Sequence, residues 1–157
     1  MQDLLVPLYK LPSPPIASDN LLVRTIFPAE IKQVSEWVRQ KFGEGWASEL
    51  EYAANQSPVC SYVALQDRVI IGFACFNAAA RGVFGPTGIT ESARGEGVGT
   101  QLLFRALQDM RAQGYAYAII GAAGPIDYYR KTVGAITFND GAPGFLKSLM
   151  PQQKEST

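Results

Sequence analysis

Three glycines at alternate positions, in Arg94-Gly95-Glu96-Gly97-Val98-Gly99-Thr100, do most to limit what this chain can fold into. Glycine at this density is unfavourable inside a helix or strand. Yet the segment is flanked by the β-rich run Val83 to Ile89 and by an amphipathic stretch beginning at Val98. A strand, a tight loop and a helix are therefore expected in direct succession. In that helix Leu102, Leu103, Ala106, Leu107 and Met110 fall on one face, with Gln101, Arg105, Gln108 and Arg111 on the other, and Gly114 ends it. Glycines let the backbone approach a ligand closely, and the unpaired N–H groups of a helix start attract anions, so the loop reads as a phosphate site.

Spacing separates this loop from two commoner phosphate binders. A Walker loop ends in Gly-Lys-Ser/Thr, whereas Gly99 is followed directly by Thr100. A dinucleotide fingerprint needs Gly-x-Gly-x-x-Gly with an acid about 20 residues on, whereas here the pattern is Gly-x-Gly-x-Gly and that region reads Ile119-Ile120-Gly121.

The chain has no histidine, which removes histidine-based nucleophilic triads and imidazole metal ligation, and no metal is expected. Cys60 and Cys75 are too far apart for a CxxC pair and read as small core residues. With 14 Lys+Arg against 14 Asp+Glu, nothing draws the chain toward nucleic acid or an anionic membrane. The start at Met1 lacks a basic leader and no apolar run approaches bilayer length, so a cytoplasmic protein is expected.

A length of 157 residues suits one core. The expected division is an arm and Pro-rich connector over residues 1–20, one domain over 21–150, and a loose polar tail over 151–157. Leu4 to Leu8 reads as a short strand or a packed arm, and Leu11 to Pro15 as a stiff connector. Leu21 to Ile26 reads as a strand. Pro28 opens a helix carrying Ile31, Val34, Trp37, Val38 and Phe42, which stops at Gly43, and a second helix covers Trp46 to Ala54. Val59 to Leu65 and Val69 to Phe76 form a hairpin about Gln66-Asp67-Arg68, followed by the Val83 strand. After the long helix, Tyr117 to Ile120 reads as a strand covered on both faces, Pro125 opens a last helix, and Ala135 to Phe138 returns as a strand. Phe104 lies on the polar helix face, where partial exposure is expected, with a contact between two copies in a homodimer as the alternative use. The fold class is mixed α/β, with a mostly antiparallel central sheet flanked by helices.

At the loop, Arg94, Gly97 and Gly99 satisfy the pattern Gln/Arg-x-x-Gly-x-Gly/Ala, and the order of elements from Leu21 to Phe138 extends the likeness. In both respects the chain resembles the GCN5-related N-acetyltransferases. That resemblance implies acetyl-coenzyme A as co-substrate, its pyrophosphate held by main-chain N–H groups across Arg94, Gly95, Glu96, Gly97, Val98, Gly99 and Thr100. It places Ile89 and Thr90 beside the pantetheine arm, and makes Tyr129 the catalytic acid, with Tyr128 as substitute. The family often has an asparagine seven residues before the tyrosine, where this chain has Ala122. Glu91, Asp127 and Glu49 are candidates to take the proton of the amine, and Trp46 and Glu49 to meet the acceptor. The expected reaction is direct transfer to a primary amine of a small molecule in a ternary complex. Gly85-Pro86-Thr87-Gly88 and Gly124-Pro125-Ile126 look similar to acetyltransferase modules joined to amino-sugar hydrolases, which makes an amino sugar a candidate acceptor. The alternative is a module that keeps the loop, binds an acyl-coenzyme A or a partner, and transfers nothing.

Overall fold

Six apolar runs become one sheet in the computed structural model, which describes residues 1–151, so residues 152–157 of the expected tail lie outside the described residues. The strands are β1 (Gln2–Pro7), β2 (Leu21–Thr25), β3 (Ser61–Gln66), β4 (Val69–Phe76), β5 (Val83–Ile89) and β6 (Tyr117–Ala123), in the order β1-β6-β5-β4-β3-β2. All pairs are antiparallel except β5 with β6. That parallel pair is joined through α3 (Val98–Ala112), the crossover a parallel connection requires. The other helices are α1 (Ile31–Phe42), α2 (Glu44–Ala54) and α4 (Ile126–Val133). None of the described helices is long and apolar enough to cross a membrane.

Alternation along β4 puts the helices on opposite faces. A Cβ added to Gly72 would meet Leu102 of α3, whereas the next residue, Phe73, packs on Trp37, Phe42 and Trp46 of α1 and α2. The helical periodicity accounts for both layers, since α3 buries Leu102, Leu103, Ala106, Leu107 and Met110, and α1 buries Val34 and Val38.

Residues Gln2–Pro7 take the strand reading and pair with Tyr117–Ala123. This placement corrects two expectations. Ala135 to Phe138 does not return as a strand. The free edge of β6 is already filled by β1, and the run makes one bridge on the outer side of β1, where Leu5 and Ile136 exchange N–H···O bonds of 2.9 and 2.8 Å. Tyr117 is not covered on both faces either. It opens β6 opposite Pro7, the last residue of β1, is 48% exposed and meets Tyr9 edge-on at 5.7 Å. A third correction concerns Phe104, which is 2% exposed. The connector folds back over α3, with Gln101 donating to the Pro15 carbonyl at 2.7 Å, and Pro14, Ala17 and Leu21 share the Phe104 surface.

Candidate functional site

The site begins with two strands that part. β5 and β6 pair only at Val83–Ile119 and Phe84–Ile120, so among the described residues no strand lies beside β5 on that edge from Gly85 to Ile89. On the other edge Thr90 N–H donates to the Ile71 carbonyl at 2.8 Å, with Ile89 opposite Gly72 and Thr87 opposite Ala74. Antiparallel alternation then turns the N–H and C=O of Thr87 and Ile89 away from β4, toward the gap. Extended groups of this kind are suited to pair with an extended amide-bearing ligand. Both main-chain groups of Thr90 are engaged, its carbonyl accepting from Ala93 at 3.0 Å, and its buried hydroxyl has no partner among the described residues.

The glycine loop closes one end of the gap. Gly95 and Gly97 have φ of +83° and +81°, and a Cβ at either would meet nothing within 4 Å, so the loop is a left-handed turn with an open concave side. Gly97 is the N-cap of α3, and Gln101 N–H is the first to bond back, at 3.1 Å to the Gly97 carbonyl. The N–H groups of Val98, Gly99 and Thr100 therefore have no intrahelical acceptor. No acidic residue lies in the first turn, and Arg94 borders the same hollow. Free donors, the helix dipole and a guanidinium together suit a diphosphate, so the residues present fit coenzyme A.

Adjacent tyrosines of α4 reach the gap differently. The Tyr128 hydroxyl is 2.6 Å from Thr100 Oγ1, at the mouth of the loop. Tyr129 points deeper, has no hydrogen-bond partner for its hydroxyl among the described residues, and has its pKa pushed up to about 12, by burial first and by the Tyr128 phenol second. The facing wall comes from the break between α1 and α2. Gly43, at φ +104°, turns the chain so that Trp46 stacks on Phe42 at 5.4 Å. Glu49 is one turn beyond Trp46 and half-buried, and burial raises its pKa. Burial first, then the Glu49 charge, also push the Cys75 thiol up.

Three hollows join into one groove. The loop hollow, about 370 Å³, shares Ile89, Arg94, Gly99 and Tyr128 with a central one of about 410 Å³. The central one shares Trp46, Phe84, Thr87 and Tyr129 with a third of about 290 Å³ that runs to Pro125. The structure thus brings together Ile89, Arg94, Gly95, Gly97, Val98, Gly99, Thr100, Tyr128, Tyr129 and Trp46. Glu96 and Glu91 are exposed and outside this lining, Glu91 in the turn Glu91–Ala93, and the half-buried Glu49 stands outside it as well. Asp127 is exposed and pairs with Arg130 at 3.4 Å. The groove also recruits Phe42, Phe84, Thr87 and Leu103. For Phe42 the usable signal is its place just before Gly43-Glu44-Gly45, where a helix-face residue becomes a helix end. A separate polar cleft near Asn77, Arg81 and Gly114 lies at the far end of α3 and holds none of these groups.

Solved structures share the architecture. The GCN5-related glucosamine N-acetyltransferase region of a fungal multi-domain GH3 β-N-acetylglucosaminidase matches with a TM-score of 0.68 at 14% identity, over 87% of this chain and 19% of that one. A GCN5-related N-acetyltransferase from Sphaerobacter thermophilus matches with a TM-score of 0.68 at 17% identity, over 86% and 47%. An aminoglycoside acetyltransferase from an uncultured soil metagenomic sample, in complex with trehalose, matches with a TM-score of 0.55 at 16% identity, over 73% and 88%. This chain thus spans less than half the length of the first two, and identities this low speak to the fold. Among curated proteins none matches the sequence. A sequence model of the acetyltransferase (GNAT) family matches residues 31–135, more than half of the chain and every element from α1 to α4, and the chain belongs to that family.

Proposed function

We propose that this chain transfers an acetyl group from acetyl-coenzyme A to a primary amine of a small molecule, both held in the groove at once. The observation that carries the reading is the continuity of that groove, which leads from the glycine loop along the open edge of β5 to Tyr129 and Trp46. Acetyl-coenzyme A, when bound, supplies an activated thioester. The N–H groups of Val98 to Thr100 hold the diphosphate, and a few charge-assisted hydrogen bonds of about 1.5 to 3 kcal/mol each suffice for micromolar binding. Thr87 and Ile89 align the arm through main-chain groups.

A phenol with a pKa of about 12 stays protonated throughout the neutral range. Giving its proton fully to a thiolate of ordinary pKa about 8.5 is uphill by roughly 5 kcal/mol. Tyr129 therefore works as a hydrogen-bond donor that stabilises charge on the departing sulfur. The acceptor has the opposite need, since an amine of pKa about 10.4 must lose about 4.6 kcal/mol to be neutral at pH 7. Of the three candidate carboxylates, Glu49 is the half-buried one, and its raised pKa makes it the better base, reaching the groove through water because it stands one helical turn beyond Trp46 and outside the lining. An amino sugar offers an apolar ring face for Trp46 and an amine for Glu49. The fold likeness to a glucosamine N-acetyltransferase region adds to that choice.

The test is thiol release from acetyl-coenzyme A with a panel of amines and amino sugars, glucosamine first, alongside calorimetric binding of coenzyme A. Turnover with at least one amine is expected, falling tenfold or more in Tyr129→Phe while coenzyme A still binds. Binding without turnover across the panel would leave a non-catalytic acyl-coenzyme A module, and absence of binding would end the reading altogether.

A further inference from the structure

Phe42 is the last residue of α1, and its ring fills the space directly above the main chain of Gly88. A Cβ built on Gly88 would come within 2.6 to 2.9 Å of three carbons of that ring. The ring is clamped in place by Trp46 at 5.4 Å, Phe73 at 5.5 Å and Trp37 at 5.8 Å. Gly88 lies between Thr87 and Ile89, the two residues whose main-chain groups face the gap, and Phe42 lines the central hollow beside all three. The glycine at position 88 and the phenylalanine at position 42 thus form a matched pair, the absent side chain making room for the ring.

We propose that Phe42 limits the length of the acyl group this chain accepts, favouring two carbons by walling the central hollow on the α1–α2 side beside Thr87 and Ile89. The inference rests on the reading of the groove as an acyl-coenzyme A site. A wall held by three aromatic neighbours has little freedom to move aside, because repacking a close-packed cluster is unfavourable. One methylene in a tight apolar pocket is discriminated by roughly 10- to 200-fold. Carbons added to an acetyl group in the central hollow meet the Phe42 ring on the α1–α2 side, while the hollow toward Pro125 is left to the acceptor. Removing the ring opens that space above Gly88 without touching the loop or the strand edge.

Binding of thioether analogues tests this without any knowledge of the acceptor. Kd is measured by calorimetry for S-ethyl-coenzyme A and S-hexyl-coenzyme A, with wild type, Phe42→Leu and Phe42→Ala, each variant first checked for a cooperative thermal transition. The expected result is that wild type favours S-ethyl at least tenfold, that Phe42→Ala removes or reverses the preference, and that Phe42→Leu falls between. If Phe42→Ala does not fold, the leucine variant carries the comparison, and an unchanged ratio there overturns the inference. A wild-type protein that binds both analogues equally overturns it too. Failure to bind coenzyme A itself would instead remove the acyl-coenzyme A reading on which the inference stands.

Discussion

Tyr128 and Tyr129 meet edge to face at 5.0 Å, yet their hydroxyls sit in unlike surroundings. One is tied to Thr100 beside the loop, and the other is unpartnered among the described residues and desolvated in the groove. Consecutive helical residues diverge by about 100°, so a pair of this kind can serve two neighbouring hollows from one turn. Glu49 shows the same influence of surroundings on chemistry. Its folded pKa is raised, so the folded state binds its proton more tightly than the unfolded state does. The stability penalty is absent below the unfolded pKa, grows as pH rises toward the folded pKa, and is complete above it. Glu49→Gln is accordingly expected to raise Tm at pH 8 and to leave it almost unchanged at pH 3. If Glu49 is the base, kcat/KM of wild type falls on its acid side at a pH above the ordinary value for a glutamate. That limb disappears in the glutamine variant, together with most of the turnover. Unaltered pH profiles for both Tm and kcat/KM would clear Glu49 of either role.

Local signals carried the elements far. The α3 stripe follows its apolar period, Val83–Ile89 and Val69–Phe76 follow their β-rich composition, and glycines 95 and 97 stand where left-handed φ values are needed. The misplacements share a tertiary origin. Nothing local in Ala135 to Phe138 reveals that β1 has taken the edge of β6, and nothing near Phe104 reveals a connector some 90 residues away in sequence lying over it. In the candidate site the loop and the tyrosines were legible as motifs. Phe42 left only a local signal, its place before Gly43-Glu44-Gly45, since its role depends on its ring packing over Gly88, distant in sequence. Gly97→Ala tests the loop as an element. A left-handed alanine costs about 1 to 2 kcal/mol, and roughly 2 to 8 °C of Tm in a domain of this size. If the loop relaxes to escape that strain, its donors lose their common direction. Coenzyme A binding should then weaken tenfold or more in calorimetry, and a variant that binds as tightly as wild type would mean that the N–H array is not the phosphate holder.

At the scale of the molecule, the site depends on a strand from the far end of the sequence. β1 lies on the outer side of β6, and its Asp3 is 6% exposed, with Oδ1 accepting from Ala122 N–H at 3.0 Å and Oδ2 from Phe145 N–H at 2.9 Å. Ala122 has φ +48°, a left-handed conformation that a non-glycine residue adopts only where its surroundings hold it. Gly144 makes room for the carboxylate, since a Cβ there would lie 2.6 Å from Oδ1. One buried side chain thus fixes the end of β6, from which the chain enters α4 and its tyrosines, and also the segment that covers the outer face of β6 near Gly121. Asp3→Ala removes both acceptors and strands two N–H groups. With charge-assisted bonds at about 1.5 to 3 kcal/mol each, a loss of about 2 to 4 kcal/mol is expected, or roughly 5 to 15 °C of Tm. Asp3→Asn keeps one acceptor oxygen and should recover part of the loss. Because the lost bond from Ala122 lies at the end of β6 that leads into α4 and not at the glycine loop, kcat should fall further than coenzyme A affinity in Asp3→Ala at a temperature where the variant is still folded. A variant with wild-type Tm and kcat would show that β6 holds its left-handed residue without help from β1.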